Sequence, residues 1–237
     1  YEEISKASQK EATEILQKIY TAPVKENLIG DVIKKIKASN SRCFASFVPA
    51  STKRFAPVAV EAGCDSIVIQ STVTTARHNS KSLEGLVLSK IVESIKVPII
   101  VGNTVTYNVS RELMETGIHG ILVGVGPGSA CTSREVLGVG VPQVSATLEC
   151  SSARDDYFKL TGRYVSIITD GGIRTGGELC KSFVAGADAV MIGSPFSKTF
   201  ESPAKGNHWG MATPHESLPR GTRIVNEQEY SIKELLF

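Results

Sequence analysis

The sequence has 237 residues, of which 41% are hydrophobic and 21% are charged, and its formal net charge is +2. This size suits one globular domain with a substantial core, although two domains would also fit. Basic and acidic side chains are intermixed without a long basic run, which argues against nucleic acid or a membrane surface as the main partner. The composition is compatible with a small anionic ligand. No apolar run reaches the roughly 18 residues that a membrane span requires.

Five cysteines form an odd set without a CxxC spacing. Such a set is typical of a reducing compartment rather than of a disulfide framework, so we expect a cytoplasmic protein. The first residue is Tyr1 rather than Met, and we expect the natural chain to begin upstream of it.

In chain order, two helical stretches come first, residues 2–20 and 26–38, with Ala22-Pro23 between them. Short and almost wholly apolar runs then alternate with longer stretches of helical spacing, which is typical of βα units around a parallel sheet. The predicted strands are residues 43–48, 66–70, 98–102, 120–123, 165–169 and 189–192. The predicted helices between them are residues 52–62, 83–94, 107–116, 144–160 and 176–185.

Three of these helices end on a glycine, Gly63, Gly117 or Gly186, just before the next strand. Glycine tolerates the positive φ that a helix C-terminus often needs. The recurrence favours an α/β fold of the (β/α)₈ TIM-barrel type, although periodicity alone leaves an open doubly wound sheet as an alternative. About six of the eight strands of a closed barrel are visible. We therefore predict one partial TIM-barrel domain over residues 1–237, with two strands missing upstream.

The longest loop follows the fourth predicted strand and begins Gly124-Val125-Gly126-Pro127-Gly128-Ser129. In a barrel, function resides on the loops after the carboxyl ends of the strands. The glycines let backbone N–H groups turn toward an anion, and Ser129 adds a hydroxyl, so the loop predicts a phosphate site. A set of tight turns is the alternative.

Cys131 lies in the same loop, where backbone N–H groups and the nearby Arg134 favour a reactive thiolate. The alternative is a buried and unreactive cysteine, which is the common environment of a free thiol. For the other four cysteines we predict core positions, because they fall in or beside strands or within helices. These four are Cys43, Cys64, Cys150 and Cys180.

Asp170-Gly171-Gly172 follows the fifth predicted strand, and Gly193-Ser194 follows the sixth. A carboxylate at a strand end can accept hydrogen bonds from ribose hydroxyls, while the glycines bring backbone N–H groups to a phosphate. Asp170 as a simple cap of the next helix is the alternative.

Two further groups of polar residues lie on candidate loops. Gln70-Ser71-Thr72 and Asn103 follow the second and third strands, where they could meet a second ligand or serve as caps and turns. His208-Trp209 lies in a stretch rich in Gly and Pro, which predicts either a packed surface loop or a loop that closes over a base.

Three segments together resemble the IMP dehydrogenase and GMP reductase family: residues 124–134, 169–174 and 186–194. The similarity runs from about Ala56 to Arg223. Residues 153–157, 208–214 and 218–223 further resemble the bacterial IMP dehydrogenase-related subgroup that lacks the inserted pair of CBS regulatory modules. The resemblance implies an NAD-dependent oxidoreductase that converts IMP to XMP in guanine nucleotide biosynthesis.

The resemblance also implies residue roles. Cys131 would attack C2 of IMP, with Ser133 in the same catalytic loop, and water would hydrolyse the resulting thioimidate. The implied substrate-binding residues are Ser129, Asp170, Gly171, Gly172, Gly193, Ser194, His208, Gly210, Met211 and Ala212. The implied cofactor-binding residues are Gln70, Ser71, Thr72 and Asn103. Carbonyls of Gly126, Gly128 and Cys131 match the family's potassium-ion site, normally completed by a neighbouring subunit of a homotetramer.

Three positions depart from the family pattern. Gln70 stands where many relatives place an Asp near the nicotinamide ribose, and His208 stands where the family usually has a phosphate-binding Tyr. The family's water-activating Arg-Tyr pair has no match before Leu218, and Arg220 and Arg223 are the substitutes. Two alternatives therefore remain: a GMP reductase, which converts GMP to IMP with NADPH, and a non-catalytic paralogue that binds purine nucleotide. The intact Cys131 argues against the paralogue.

Overall fold

The structure is a computed structural model that describes residues 2–77, 85–210 and 223–236. Its helices are α1 (Glu2–Lys6), α2 (Gln9–Tyr20), α3 (Glu26–Ala38), α4 (Pro49–Glu61), α5 (Leu88–Ser94), α6 (Tyr107–Glu115), α7 (Ser133–Val136), α8 (Gln143–Thr161), α9 (Gly176–Val184), α10 (Ser194–Ser197) and α11 (Ile232–Leu236). Its strands are β1 (Phe44–Phe47), β2 (Ser66–Gln70), β3 (Ile99–Thr104), β4 (Gly120–Val123), β5 (Ser166–Asp170), β6 (Ala189–Met191), β7 (Asn207–Trp209) and β8 (Arg223–Val225). Within the described ranges, no helix combines the length and the apolar character that a membrane span needs.

The first six strands form one parallel sheet in which spatial order follows chain order, β1-β2-β3-β4-β5-β6. Every crossover therefore advances in the same direction, whereas a doubly wound sheet reverses its strand order at one point. The sheet also curls: the side chain of Gln70 on β2 donates to Asp170 on β5 at 2.9 Å. In a flat sheet those strands would lie about 14 Å apart. The fold is thus six strands of a (β/α)₈ barrel, as predicted.

The two faces of the strands form separate clusters of buried side chains. Ile67, Ile99, Ile121 and Ile167 belong to the larger cluster, which contains residues of helices α3 to α6 and α8. Val68, Ile100 and Leu122 alternate with them and form the smaller cluster, packed against Ile168 and Met191. In β2, β3 and β4 every residue is buried, which explains why these strands are apolar almost throughout.

The same pair of hydrogen bonds recurs at the amino end of every second strand of the sheet. The three helices before β2, β4 and β6 end near Gly63, Gly117 and Gly186, which have φ of +93°, +93° and +99° as predicted. The second residue after each glycine is Asp65, His119 or Asp188. Each of these residues forms two hydrogen bonds with one residue at the amino end of the preceding strand. Its backbone N–H donates to the carbonyl of that residue, and its side chain accepts from the N–H of the same residue.

The partners in these exchanges are Cys43, Ile99 and Ile167 respectively. The exchange fixes the register of neighbouring strands where a parallel ladder begins. At these three strand starts, polar groups of the protein therefore satisfy one another.

Three sequence predictions need correction. The stretch at residues 2–20 is two helices, because Ser8 begins α2 with a capping box to Glu11. Helix α5 begins at Leu88, and part of the helix predicted from residue 83 lies outside the described residues. His208-Trp209 is not in a loop: it belongs to strand β7, which pairs antiparallel with β8.

Candidate active site

A cavity of about 580 Å³ lies at the carboxyl ends of the strands. It is lined by the ends of β2, β3 and β5, by the loop after β4, by the turn after β6 and by the end of β7. The residues that line it are Gln70, Ser71, Thr72, Asn103, residues 124–131, residues 170–174, residues 191–194, and His208, Trp209 and Gly210. Most of the predicted site residues are therefore brought to one cavity from distant parts of the chain.

Cys131 lies in the loop after β4 and is partly exposed at the cavity. Its backbone N–H donates to the carbonyl of Gly128 at 3.0 Å, and its Sγ lies 3.3 Å from the hydroxyl of Ser133 at the start of α7. Cys131 is thus positioned at a cavity rather than buried in the core.

The remaining cysteines differ in burial. Cys43, Cys64 and Cys150 are buried, as predicted, and burial raises the pKa of the Cys150 thiol to about 11. The core position predicted for Cys180 is wrong, because this thiol is exposed. Helix α9 buries Ser182 instead, and Cys180 lies on a different face of the helix.

Two long polar side chains, those of Arg134 and Gln143, fix the position of the loop that carries Cys131, the cysteine loop. The guanidinium of Arg134 donates to the carbonyl of Val141 at 2.9 Å, and its stem passes so close to Gly126 and Gly140 that a Cβ at either would lie within 3 Å of it. Gln143 donates from Nε2 to the carbonyls of Val123 and Asp170, at 2.7 and 2.9 Å. It thereby joins the ends of β4 and β5.

The turn after β5 packs directly on the cysteine loop. Gly171 and Gly172 have φ of +84° and +78°, and a Cβ on either would lie 3.2 Å from atoms of Pro127. Two consecutive residues with positive φ require glycine. Asp170 does not cap the next helix, because the hydroxyl of Thr175 accepts from the N–H of Glu178 at the start of α9.

Asp170 is the buried carboxyl group of the cavity. Its Oδ2 accepts hydrogen bonds from Gln70 Nε2 at 2.9 Å and from Asn103 Nδ2 at 2.8 Å. Burial raises the pKa of Asp170 above its ordinary value, while the two amide donors oppose that rise. The two amide donors therefore favour the ionised form of the carboxyl group.

At another part of the cavity, hydroxyls from two loops meet. The Ser129 and Ser194 hydroxyl oxygens lie 2.7 Å apart. The ring of His208 covers Gly193, where a Cβ would lie 3.0 Å from Cε1. Burial lowers the pKa of His208 below its ordinary value, which favours the neutral ring at neutral pH. Two hydroxyls beside a glycine turn and an imidazole suit an anionic oxygen group.

The other predicted residues are distributed as follows. Ser71 and Thr72 line the cavity, and the hydroxyl of Ser71 donates to the carbonyl of Val73 at 2.9 Å. Arg223 is the first residue of β8. Met211, Ala212 and Arg220 lie outside the described residues.

Sequence reasoning missed Gln143 and the role of Arg134 as a loop clamp. The only signal for Gln143 was its place at the start of a predicted helix, directly after Pro142. Its contacts with two strand ends depend on the folded sheet.

The fold and the site together define a class: a barrel protein whose cavity brings together a cysteine, a carboxyl group and a pair of hydroxyls. Residues 10–212 match the model of the "IMP dehydrogenase / GMP reductase domain". The chain belongs to this family. It is an oxidoreductase-type domain by that membership.

Several relatives support the assignment. An uncharacterized oxidoreductase of Mycobacterium tuberculosis is 35% identical over 215 residues, which are 90% of this chain and 57% of that protein. An inosine-5'-monophosphate dehydrogenase of Cryptosporidium parvum is 43% identical over 150 residues, 63% of this chain and 35% of that protein.

A solved structure is also similar. The crystal structure of an IMP dehydrogenase/GMP reductase-like protein from Corynebacterium glutamicum matches with a TM-score of 0.85 and 33% identity, over 96% of this chain and 60% of that one. The chain thus spans about three fifths of the length of the mycobacterial and corynebacterial relatives.

Proposed function

We propose that the protein that contains this chain is an IMP dehydrogenase, which oxidises IMP to XMP with NAD through a covalent bond to Cys131. The observation that carries the proposal is that one cavity holds Cys131, the Asp170 carboxyl group and the Ser129–Ser194 hydroxyl pair. These are the groups needed to attack a purine, hold a ribose and hold a phosphate.

In this proposal the purine ring lies over Cys131. The thiolate forms a bond to C2 of IMP, the hydride leaves from C2, and water then cleaves the thioimidate to release XMP and the thiol. NAD, when bound, supplies the hydride acceptor. Ser133 accepts or donates a hydrogen bond at the thiol, since its hydroxyl lies 3.3 Å from Sγ.

The nucleotide is held at its two other parts. Asp170 receives the ribose hydroxyls. The phosphate lies against Ser129, Ser194 and the backbone of Gly171, Gly172 and Gly193, with His208 as a further donor. Gly210, Met211 and Ala212 would line the base. Arg220 and Arg223 are the proposed water-activating residues.

The dinucleotide would enter beside the ends of β2 and β3. Ser71 and Thr72 offer hydroxyls at that side of the cavity, and such groups fit the ribose hydroxyls of a dinucleotide. Gln70 and Asn103 lie there too, although their amide N–H groups already serve Asp170. This donor set fits NAD.

A potassium ion and a homotetramer complete the proposal. Backbone carbonyls are suitable oxygen ligands for a hard cation. The carbonyl of Gly128 already accepts from Cys131, while those of Gly126 and Cys131 accept from no described residue. The cysteine loop would thus hold the ion through main-chain oxygens, and a neighbouring subunit would complete the site.

GMP reductase is the second candidate, because the sequence has no Arg-Tyr pair before Leu218 to activate water. A reductase releases ammonia from GMP and does not need that step. A non-catalytic nucleotide-binding protein is the third outcome of the test below.

The test compares dinucleotide turnover by the purified protein in potassium buffer, with IMP plus NAD and with GMP plus NADPH. We expect NADH to form from IMP, and Cys131→Ala to abolish it, a loss of at least about a thousandfold. Oxidation of NADPH with GMP would assign the reductase. Nucleotide binding without turnover in either mixture would leave the binding protein.

Alkylation of the thiols gives a second test that needs no turnover. We expect iodoacetamide to modify Cys131 and IMP to slow that reaction, because a bound purine covers the thiol. The exposed Cys180 is the internal reference, and its rate should not change with IMP. Equal rates for Cys131 with and without saturating IMP would contradict the proposed position of the purine. Peptide mass spectrometry reads both sites in one sample.

A further inference from the structure

Three polar side chains from separate strands meet beneath the cavity. Gln70 ends β2, Asp170 ends β5, and Asn103 lies at a shift of register between Gly102 and Thr104 in β3. A bulge re-aims the side chain of its extra residue. Gln70 and Asn103 are only 7% and 6% exposed, so both amide groups need partners within the protein.

Both amides donate to the same oxygen of Asp170. The distances to Oδ2 are 2.9 Å from Gln70 Nε2 and 2.8 Å from Asn103 Nδ2. Gln70 Nε2 also lies 3.2 Å from Asn103 Oδ1, so the two amides orient each other. No described residue donates to the second oxygen of Asp170, Oδ1. That oxygen stays free to accept from a ligand.

The carboxylate has no cation to balance it among the described residues. The other titratable groups that line the cavity are Cys131, Arg174 and His208. Arg174 pairs with Glu178 at 2.6 Å, and burial favours the neutral form of His208. The two amides are therefore the groups that oppose the cost of burying an ionised carboxyl.

We infer that Gln70 is a positioning residue for Asp170: it holds this side chain as a carboxylate with Oδ1 available to the ribose hydroxyls of the nucleotide. The inference rests on the proposed function for the identity of the ligand. A carboxyl group at position 70 would replace a donor by an acceptor and set two acids side by side. With a neutral amide at position 70, Asp170 is the one carboxylate among the described residues that line the cavity.

The first experiment titrates the ligand-free protein. The ¹³C resonance of the Asp170 carboxyl, assigned with Asp170→Asn, is followed against pH in the wild type, Gln70→Glu and Gln70→Met. Gln70→Glu adds a like charge and Gln70→Met removes the donor. We expect both to raise the midpoint, Gln70→Glu by about one pH unit or more.

Val73→Glu is the matched control, because it adds a carboxyl group to a residue that is 60% exposed and does not line the cavity. Its midpoint should stay close to that of the wild type. An unchanged midpoint in both position-70 variants, with the fold intact by circular dichroism, would overturn the inference.

The second experiment measures nucleotide affinity by calorimetry at several pH values. At about pH 8, Gln70→Glu should bind IMP roughly tenfold more weakly than the wild type. The deficit should shrink as the pH falls, because the introduced carboxyl group then takes up a proton and donates like the amide. A 2′,3′-dideoxy analogue of IMP lacks the hydroxyls, so its affinity should differ less than about twofold between the two proteins.

The outcomes separate the two claims. A shifted midpoint without IMP binding by the wild type would remove the proposed function and leave the positioning role. IMP binding by the wild type with an equal affinity of Gln70→Glu at every pH would remove the positioning role and leave the function.

Discussion

The two ends of the barrel hold carboxyl groups in opposite ways. At the amino end, Asp65 accepts from Lys37, from the N–H of Cys43 and from Arg42, which together hold its pKa well below the ordinary value. At the carboxyl end, the described residues give Asp170 two neutral amides and no cation, and burial raises its pKa. The same residue type is therefore fully paired at one end and partly unsatisfied at the other.

Asp188 extends the comparison. It accepts from Arg154 at 3.0 Å and from the N–H of Ile167 at 2.7 Å, and it also pairs with the hydroxyl of Tyr164. Saturated groups of this kind stabilise the fold and have nothing left for a ligand. Among the described residues, Asp170 accepts only from two amides, so it contributes less to stability than Asp188 does. One of its oxygens is available to a ligand in return.

The largest expected effect is on stability at the amino end. Asp188→Ala leaves the Arg154 side chain, which is 9% exposed, without the less exposed of its two carboxylate partners, since the Asp188 side chain is 30% exposed, and it removes the acceptor for Ile167. We expect the free energy of unfolding to fall by about 3 kcal/mol, measured by urea denaturation.

The matched control is Asp155→Ala, which removes the other partner of Arg154. The Asp155 side chain is 54% exposed, so its loss should cost less than about 1 kcal/mol. Equal losses in the free energy of unfolding for Asp188→Ala and Asp155→Ala would contradict the prediction that the less exposed carboxylate contributes more to stability.

The second effect is on binding at the carboxyl end. Asp170→Asn should weaken IMP binding about a hundredfold, or ~2.7 kcal/mol, while it leaves stability at neutral pH unchanged or higher. The pKa of Asp170 is raised in the folded state, so its ionisation lowers stability as the pH rises above its ordinary value. The variant should lack that decline. Urea midpoints at several pH values and calorimetry check both halves, and a loss of stability at neutral pH would contradict the comparison.

The smallest expected effect is on the pH dependence of stability through His119. This residue occupies the position that Asp65 and Asp188 hold at the amino ends of the other strands. Burial and Arg163 lower the pKa of His119, so stability should be lost as the pH falls through its ordinary value of 6.5. Protonation also blocks Nδ1, which accepts from the N–H of Ile99. His119→Asp should be more stable than the wild type at about pH 5, by about 1 kcal/mol or less, and this advantage should shrink at about pH 8.

His119→Asn is the control for this last prediction. Its amide oxygen can accept at any pH, so it should also remove the pH dependence without adding a charge. If the wild type and both variants lose equal stability on acidification, His119 is not the titrating group.

Much of the fold could be predicted from the sequence. The central strands are nearly continuous apolar runs because both of their faces are buried, and the helix-ending glycines mark where β2, β4 and β6 begin. The hairpin of β7 and β8 was not predicted, because strand β7 is only Asn207–Trp209 and its partner lies beyond a long interval. Short strands without alternation leave little periodicity to detect.

The candidate site was predicted residue by residue but not as an arrangement. Cys131, Asp170 and Ser194 could be found because they follow strand ends. The two hydrogen bonds from Gln70 and Asn103 to Asp170 could not, since they depend on a shift of register in β3 and on the curl that brings β2 to β5. Cys180 was misplaced because a short helix gives weak information on which face is buried.

The sequential order of the strands also shapes how the chain folds. Each strand pairs with its neighbour in the chain, so sheet growth requires one modest loop closure at a time and no threading. The contact between Gln70 and Asp170 is different, because it joins residues 100 positions apart across two intervening strands. In the folded chain this contact requires β3 and β4 to lie paired between β2 and β5. The geometry of the candidate site therefore depends on the curvature of the whole sheet and not on any one βα unit.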